Sequence, residues 1–175
     1  PTPEKLDADP RYSGRGVTIA FLDSGFYPHT DIADRIVAFH DVTGTETSLY
    51  DIGEPEGHHW HGTQTVVSCA GDGSLSDGIY RGLASSANLV LVKVSDNGRI
   101  ADESIERGLR WVIERRERYH IRVLNMSLGG DADLMQKLRL GTVEFAIPST
   151  VMSSAVDAFG MFEMPYLVKS RDHMK

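Results

Sequence analysis

Short apolar runs alternate with amphipathic segments along the first part of this chain. Three runs rich in Val, Ile and Leu are typical of buried strands, at residues 17–22, 89–94 and 121–128. The shorter run Val37-Ala38-Phe39 predicts a fourth strand. Continuous apolar runs of this length favour strands that are covered on both faces.

Residues 102–119 have the spacing of an amphipathic helix. Its apolar positions recur at i, i+4, i+7 and i+8, and they are Ile105, Leu109, Val112 and Ile113. Asp102 is placed to cap the start of this helix. Because the helix joins two similar strands, we expect a right-handed crossover and parallel pairing, and therefore an α/β fold.

A second helix is predicted from His61 to Ala70, with Val66, Val67 and Ala70 on one face. Cys69 lies on the apolar side of this helix, and we expect a buried small residue there. Polar, glycine-containing stretches at 41–57 and 71–82 are predicted loops.

Two polar residues stand out at the ends of these elements. Asp23 ends the first strand and is followed at once by a Ser24-Gly25 turn, so its carboxylate is expected at the carboxyl edge of the sheet. His61 is expected at a helix N-terminus. A buried carboxylate that accepts from one ring nitrogen would leave the other nitrogen to take a proton from a nucleophile. Taken alone, Asp23 could equally be an ordinary turn carboxylate.

Three blocks in this chain resemble the first part of the catalytic domain of subtilisin-like serine proteases, the subtilase family. They are residues 16–31, which include Asp23-Ser24-Gly25 and Pro28-His29-Thr30-Asp31; His61-Gly62-Thr63; and Asn125-Met126-Ser127-Leu128-Gly129-Gly130. Their order along the chain makes the resemblance more specific than any single motif.

The resemblance implies a subtilisin-like parallel sheet with helices on both faces, incomplete at the C-terminus, and a serine-type endopeptidase that is secreted and acts on polypeptides. Asp23 and His61 would be catalytic residues. The strand that lies beside the substrate in this family corresponds to Ser127, Leu128, Gly129 and Gly130, where glycine permits close backbone approach. No cofactor is expected, although calcium is possible by resemblance. Asp41 is a conceivable calcium ligand, but no ligand set can be assigned.

The chain also departs from the family pattern. The family nucleophile lies in a Gly-Thr-Ser motif, whereas the three Gly-Thr pairs here precede Glu46, Gln64 and Val143. At Ala155-Val156-Asp157 a carboxylate stands near the position of the family's oxyanion-binding asparagine. The helix after His61 has valines, including Val66, in place of the family's small residues. We therefore expect this chain alone to be inactive.

Composition changes where the resemblance fades. Fifteen of the 17 glycines lie in residues 1–130, and five of the six methionines lie after them. We interpret 1–130 as the N-terminal part of a subtilisin-like peptidase domain and 131–175 as a divergent or altered segment too short to be an independent domain. Truncation, a shifted reading frame or a diverged functional end could each produce this change.

Charge and hydropathy limit the possible partners. The net charge of −7 at pH 7 argues against nucleic acid as a partner. Arg115, Arg116 and Arg118 form the one basic cluster, and they are best explained as the solvated end of the 102–119 helix. The sequence has neither a membrane-spanning run nor a signal peptide, and its single cysteine permits no intramolecular disulfide.

Two alternatives to a protease site stay open at this point. The first is a metal site in which His58, His59 and His61 bind a transition metal, although no cysteine or suitably spaced carboxylate is evident to complete the set, and no metal is predicted. The second is a non-catalytic peptide-binding protein that keeps the sheet and cleft of the family. The oligomeric state cannot be predicted.

Overall fold

The computed structural model of this protein describes residues 2–128. Residues up to Met126 form one compact unit, and Ser127 and Leu128 lie beyond its boundary. The α-helices and strands of the described residues are, in chain order, β1 (Thr18–Asp23), α1 (Thr30–Ala33), β2 (Ile36–Asp41), α2 (Trp60–Ala70), β3 (Asn88–Lys93), β4 (Ser95–Asp96), β5 (Arg99–Ile100), α3 (Asp102–Tyr119) and β6 (Ile121–Met126). Two single turns of 3-10 helix lie at Leu49–Asp51 and Ser74–Ser76.

The main sheet has the strand order β2-β3-β1-β6, and every neighbouring pair is parallel. The predicted parallel α/β fold is therefore confirmed, and the short run at 37–39 belongs to strand β2. The last predicted strand is shorter than expected, because β6 ends at Met126 and not at residue 128. A small antiparallel hairpin, β4–β5, was missed because its strands are only two residues long.

Strand β1 lies at the centre of the sheet, and all six of its residues are buried. Phe21 belongs to a hydrophobic cluster that includes Val66 and Ala70 of α2. Leu22 points to the opposite face, where it lies close to Gly108 of α3. Helices therefore cover both faces of the sheet.

Gly108 allows α3 to lie directly on the sheet. A Cβ atom at this position would come within 2.8 Å of Val94 Cγ1 and 3.2 Å of Leu22 Cδ2. The close approach explains a glycine in the middle of a helix, where this residue is otherwise unfavourable.

The predicted face of α3 was partly wrong. Ile113 is 62% exposed, because the helix turns Ser104 and Gly108 toward the sheet together with the predicted Leu109 and Val112. The residue at the cap position is Ala101, and Asp102 is the first residue of the helix and not its cap.

Cys69 on α2 is half-buried, less than the sequence suggested. Burial raises the pKa of its thiol, which suits a structural residue and not a reactive one. None of the helices in residues 2–128 is both long enough and apolar enough to cross a membrane.

Candidate active site

Three charged residues end three adjacent strands at the carboxyl edge of the sheet. Asp23 of β1 is in register with Lys93 of β3, and Lys93 is in register with Asp41 of β2. Parallel strands that are in register direct these side chains to the same face of the sheet, the face that carries α2. In open α/β sheets, ligands bind at the carboxyl ends of the strands, so polar groups at this edge are candidates for a functional site.

The structure brings Asp23 and His61 together, as the sequence predicts. Nδ1 of His61 lies 2.8 Å from Oδ1 of Asp23. The aspartate side chain is 1% exposed and the histidine side chain 45% exposed. Because Nδ1 donates to the buried carboxylate, Nε2 is the ring nitrogen that can exchange a proton with a nucleophile.

Ser24 lies within hydrogen-bond distance of the Asp23 carboxylate through two of its groups. Its backbone N–H donates to Asp23 Oδ1 at 2.7 Å, and its hydroxyl lies 3.2 Å from the same oxygen. The hydroxyl also donates to the carbonyl oxygen of His58 at 2.8 Å. Oδ2 of Asp23 is buried and has no hydrogen-bond partner among residues 2–128. The Ser24 hydroxyl thus ties the turn after β1 to the segment before α2.

Each residue of the His61-Gly62-Thr63 motif has a distinct contact. Gly62 packs against the backbone of Gly25, where a Cβ atom could not fit. The Thr63 hydroxyl donates to the carbonyl oxygen of His59 at 2.7 Å and accepts from the backbone N–H of Tyr27 at 2.8 Å. The glycine and the threonine therefore fix the start of α2 against the turn that follows Asp23.

Trp60, the first residue of α2, stands beside the candidate base. The residue is 59% exposed, and its ring meets the His61 ring edge-on, with 5.7 Å between ring centroids. This contact narrows the range of orientations that the imidazole can adopt.

Sequence reasoning missed a buried lysine at this edge. Lys93 is 1% exposed, and its ammonium group contacts Asp41 Oδ2 at 3.0 Å, Thr45 Oγ1 at 2.7 Å and Glu46 Oε1 at 2.8 Å. A lysine at the end of the apolar run 89–94 was the available signal, because a charge in a buried strand needs a partner of opposite sign.

Asp41 does not suit a calcium ion. Oδ1 accepts from the backbone N–H and the hydroxyl of Thr43, and Oδ2 accepts from Lys93, Thr45 and the backbone N–H of Glu46. Burial alone would raise the pKa of Asp41, but the hydrogen bonds from Thr43 and Lys93 outweigh it and hold that pKa far below its usual range. Its oxygens already bind a cation, the Lys93 ammonium group.

Glu46, His58 and His59 form a group with metal-ligand chemistry, and their ligand atoms lie within 4.8 Å of one another. Nothing in the sequence pairs Glu46 with these histidines, and the expectation that no suitably placed carboxylate lies near them was wrong. His61 does not belong to this group. Nδ1 of His59 accepts the backbone N–H of Glu56 at 2.9 Å, which leaves the proton on Nε2, the atom that faces Glu46. A ring nitrogen that carries a proton is not a metal ligand.

A cavity of about 530 Å³ opens next to this group. Its lining includes Glu46, Glu54, Glu56, His59 and Lys93. Most of the charged side chains on its walls are acidic, and Lys93 at its base is neutralised by Asp41 and Glu46.

The structure places only half of the predicted substrate strand. Ser127 and Leu128 follow β6 directly in the chain, and Leu128 is buried. Gly129 and Gly130 lie outside the described residues, as do the sequence signals at Val143 and 155–157.

Comparison with known proteins gives three findings. The sequence pattern of the subtilase family matches residues 14–163. Serine protease AprX of Bacillus subtilis (strain 168) is 40% identical over 126 residues, which are 69% of this chain and 27% of AprX. The chain thus spans about a quarter of the length of this curated relative.

Two solved structures resemble the fold. The Clostridium perfringens CspB protease matches with a TM-score of 0.62 at 20% identity. The matched region covers 84% of this chain and 37% of the CspB chain. A cold-adapted subtilisin-like serine proteinase matches with a TM-score of 0.52 at 24% identity. The matched region covers 86% of this chain and 45% of the proteinase chain. At these identities the likeness is one of fold.

Proposed function

This chain belongs to the subtilase family, and from that membership we propose that it carries the acid–base half of a serine endopeptidase site. His61 is the general base, and Asp23 is the carboxylate that orients it. The observation that carries the proposal is the 2.8 Å contact between His61 Nδ1 and the buried Asp23 carboxylate.

In the proposed reaction, a serine hydroxyl attacks the scissile carbonyl of a polypeptide while Nε2 of His61 takes its proton. Asp23 stabilises the imidazolium that forms and keeps the proton on Nδ1. The protonated imidazole then gives its proton to the leaving amine. Ser127, Leu128, Gly129 and Gly130 would line the substrate backbone, as the family resemblance implies.

The nucleophile is the part that the printed sequence does not provide. None of its Gly-Thr pairs is followed by serine. We therefore propose that residues 1–130 are the N-terminal part of a peptidase domain and that the 175-residue chain by itself does not hydrolyse peptides. Loss of the serine alone costs about 10⁶-fold in kcat in subtilisin, a protease with this kind of site.

The experiment that tests the proposal is a chimera. Residues 1–126 replace the matching segment of serine protease AprX, which supplies a complete downstream sequence. We expect peptide hydrolysis and labelling by a fluorophosphonate probe. H61A should then reduce kcat by about 10⁶-fold and D23N by about 10⁴-fold, while E106Q, on the exposed face of α3, should have no effect. A chimera that labels but does not depend on His61 would refute the assignment.

A second candidate function is a non-catalytic peptide-binding protein with the same fold. The observation in its favour is the same missing Gly-Thr-Ser motif. Two results together would favour this alternative. The 175-residue chain would bind peptides from a library saturably, and the chimera would fold but remain inactive.

The proposed substrate is a polypeptide, and the acidic net charge of −7 gives no basis for nucleic acid as a partner. Secretion is proposed from the family resemblance alone. We do not propose calcium at Asp41, because its oxygens accept hydrogen bonds from Lys93 and Thr43.

A further inference from the structure

The Glu46 carboxylate is the meeting point of three side chains near the start of α2. Its Oε1 atom lies 2.8 Å from Lys93 Nζ, 3.0 Å from His59 Nε2 and 3.3 Å from His58 Nε2. The histidine rings lean on one another, with 4.1 Å between centroids. Glu46 therefore joins the end of β3 to the two residues that precede Trp60 and His61.

His59 is held from both sides. Nδ1 accepts the backbone N–H of Glu56 at 2.9 Å, so the proton of the neutral ring is on Nε2 and points to Glu46. The residue is 3% exposed. A buried ring with both nitrogens bonded has no freedom to turn, and it fixes the backbone from which α2 starts.

The same segment is bonded directly to the Asp23 turn. The His58 carbonyl oxygen accepts the Ser24 hydroxyl, and Ser24 N–H donates to Asp23. The His59 carbonyl oxygen accepts the hydroxyl of Thr63, one turn into α2. A continuous path of hydrogen bonds thus runs from Glu46 through His58 and Ser24 to the Asp23 carboxylate.

We infer that Glu46 is a positioning residue for the Asp23–His61 pair: it holds the His58–His59 segment and so sets where His61 meets Asp23. The inference rests on the proposed function only where it treats the Asp23–His61 pair as catalytic. Glu46 does not touch the reacting atoms in this assignment.

The charge on Glu46 is central to this role. Without it, Asp41 would be the one anionic partner left to Lys93 among residues 2–128, and the two imidazole N–H groups would lose their shared acceptor. A buried donor that loses its partner favours local opening to water. Glutamine preserves the length of the side chain, but its amide N–H₂ would face the Lys93 ammonium group or the histidine N–H groups.

The test is E46Q in the full 175-residue chain, with E106Q as the matched control. Glu106 pairs with Arg110 on the surface of α3 and is remote from the segment. Proton NMR follows the His61 Nδ1–H resonance, identified by its loss in H61Q, and amide hydrogen exchange at residues 59–63 and in α3. We expect E46Q to speed exchange of the Nδ1 proton and of the 59–63 amides by about 10- to 100-fold, as for loss of a charged hydrogen bond. Exchange in α3 should not change.

Two results would overturn the inference. One is a folded E46Q chain with unchanged exchange at His61, and the other is a uniform rise in exchange across α2 and α3, which would mark a purely structural role. If E46Q does not fold, S24A interrupts the same path nearer to Asp23 and leaves the ion pair of Lys93 intact. It should produce the same selective rise at His61, and no rise would also refute the inference. Because neither measurement requires proteolysis, the inference can fail or hold independently of the proposed function.

Discussion

Gly62 lies so close to Gly25 that a Cβ atom on Gly62 would overlap the carbonyl oxygen of Gly25. The same Cβ would lie 3.0 Å from the Cβ of Asp23 and 3.0 Å from Cε1 of Phe26. Gly25, in the turn after β1, is itself tightly packed, since a Cβ atom on it would lie 3.0 Å from the carbonyl oxygen of His58. The distance between Asp23 and His61 therefore depends on the absence of a side chain at position 62.

G62A is expected to push the start of α2 away from β1. Alanine in a helix usually stabilises relative to glycine by about 0.5–1 kcal/mol, but here the clash should reverse the sign and cost about 1–3 kcal/mol of unfolding free energy. Urea unfolding measures the cost, and loss of the His61 Nδ1–H resonance reports the separation. The matched control is G57A, since a Cβ on Gly57 meets nothing within 4 Å. Equal stability of G62A and G57A would contradict the argument.

K93M is expected to destabilise the protein strongly. The methionine fits the volume of the lysine stem, but it leaves the buried carboxylate of Asp41 and the partly buried carboxylate of Glu46 without their cation. Breaking a buried ion pair from one side costs about 3–5 kcal/mol. Denaturant unfolding gives the value, with K5M at an exposed site as the control. The double variant K93M/E46Q should recover part of the loss, and a loss below about 1 kcal/mol in K93M would show that the ion pair is not needed.

Acid should weaken the same group. Burial would raise the pKa of Glu46, but the hydrogen bonds from Lys93, His59 and His58 outweigh it and hold the pKa below its ordinary value. The pKa of Asp41 is lowered as well, and by more. A folded state with depressed carboxyl pKa values binds fewer protons than the unfolded chain, so this stability is present above pH of about 4 and is lost as the pH falls below it. Unfolding free energies between pH 7 and pH 3 measure the slope. E46Q should flatten it, and an unchanged slope would assign the effect to other carboxylates.

The sequence placed Asp23 and His61 near one edge of the sheet because each has a local signal, and the resemblance to the subtilase family paired them as candidate catalytic residues. Asp23 directly ends an apolar run, and His61 directly precedes a helical pattern, so the carboxyl edge of a parallel sheet brings them together. Gly62 and Thr63 could be recognised from the motif, but the reason for the glycine, its packing on Gly25, required the three-dimensional structure.

The contacts around Glu46 could not be predicted. Glu46 is 12 residues from His58 and 47 from Lys93 along the chain, and it lies in a loop without periodicity. Its position depends on how the 41–57 loop folds back over the sheet. The error at Ile113 has a similar cause, because Gly108 sets how α3 lies on Leu22 and Val94, and a glycine does not count in a hydrophobic pattern.

Each of the two tryptophans contacts a histidine, so tryptophan fluorescence can follow the protonation of that histidine. Trp111 stacks on His40, with 4.8 Å between ring centroids and an interplanar angle of 8°. Burial, and then the positive charge of Arg115, lower the pKa of His40. In W60F, Trp111 is the remaining tryptophan, and its emission should change with a midpoint below the ordinary histidine pKa of about 6.5. H40Q in the same background should abolish the transition, and a midpoint above about 7 would contradict the lowered pKa.

Zinc is expected not to bind at Glu46, His58 and His59, although the spacing of their ligand atoms would permit it. Nε2 of His59 carries a proton because Glu56 N–H occupies Nδ1, and the Lys93 ammonium group already lies 2.8 Å from Glu46. A zinc ion would have to displace that ammonium group and turn a buried ring. A site of micromolar affinity would raise the unfolding free energy by about 2.7 kcal/mol at a hundredfold excess over its Kd. We therefore expect roughly 100 µM Zn²⁺ to leave the unfolding free energy unchanged, within the few tenths of a kcal/mol that weak surface binding could add. A saturable rise that is lost in H58Q but kept in H120Q, at an exposed histidine, would show that the ring of His59 can turn and would make this group a metal centre.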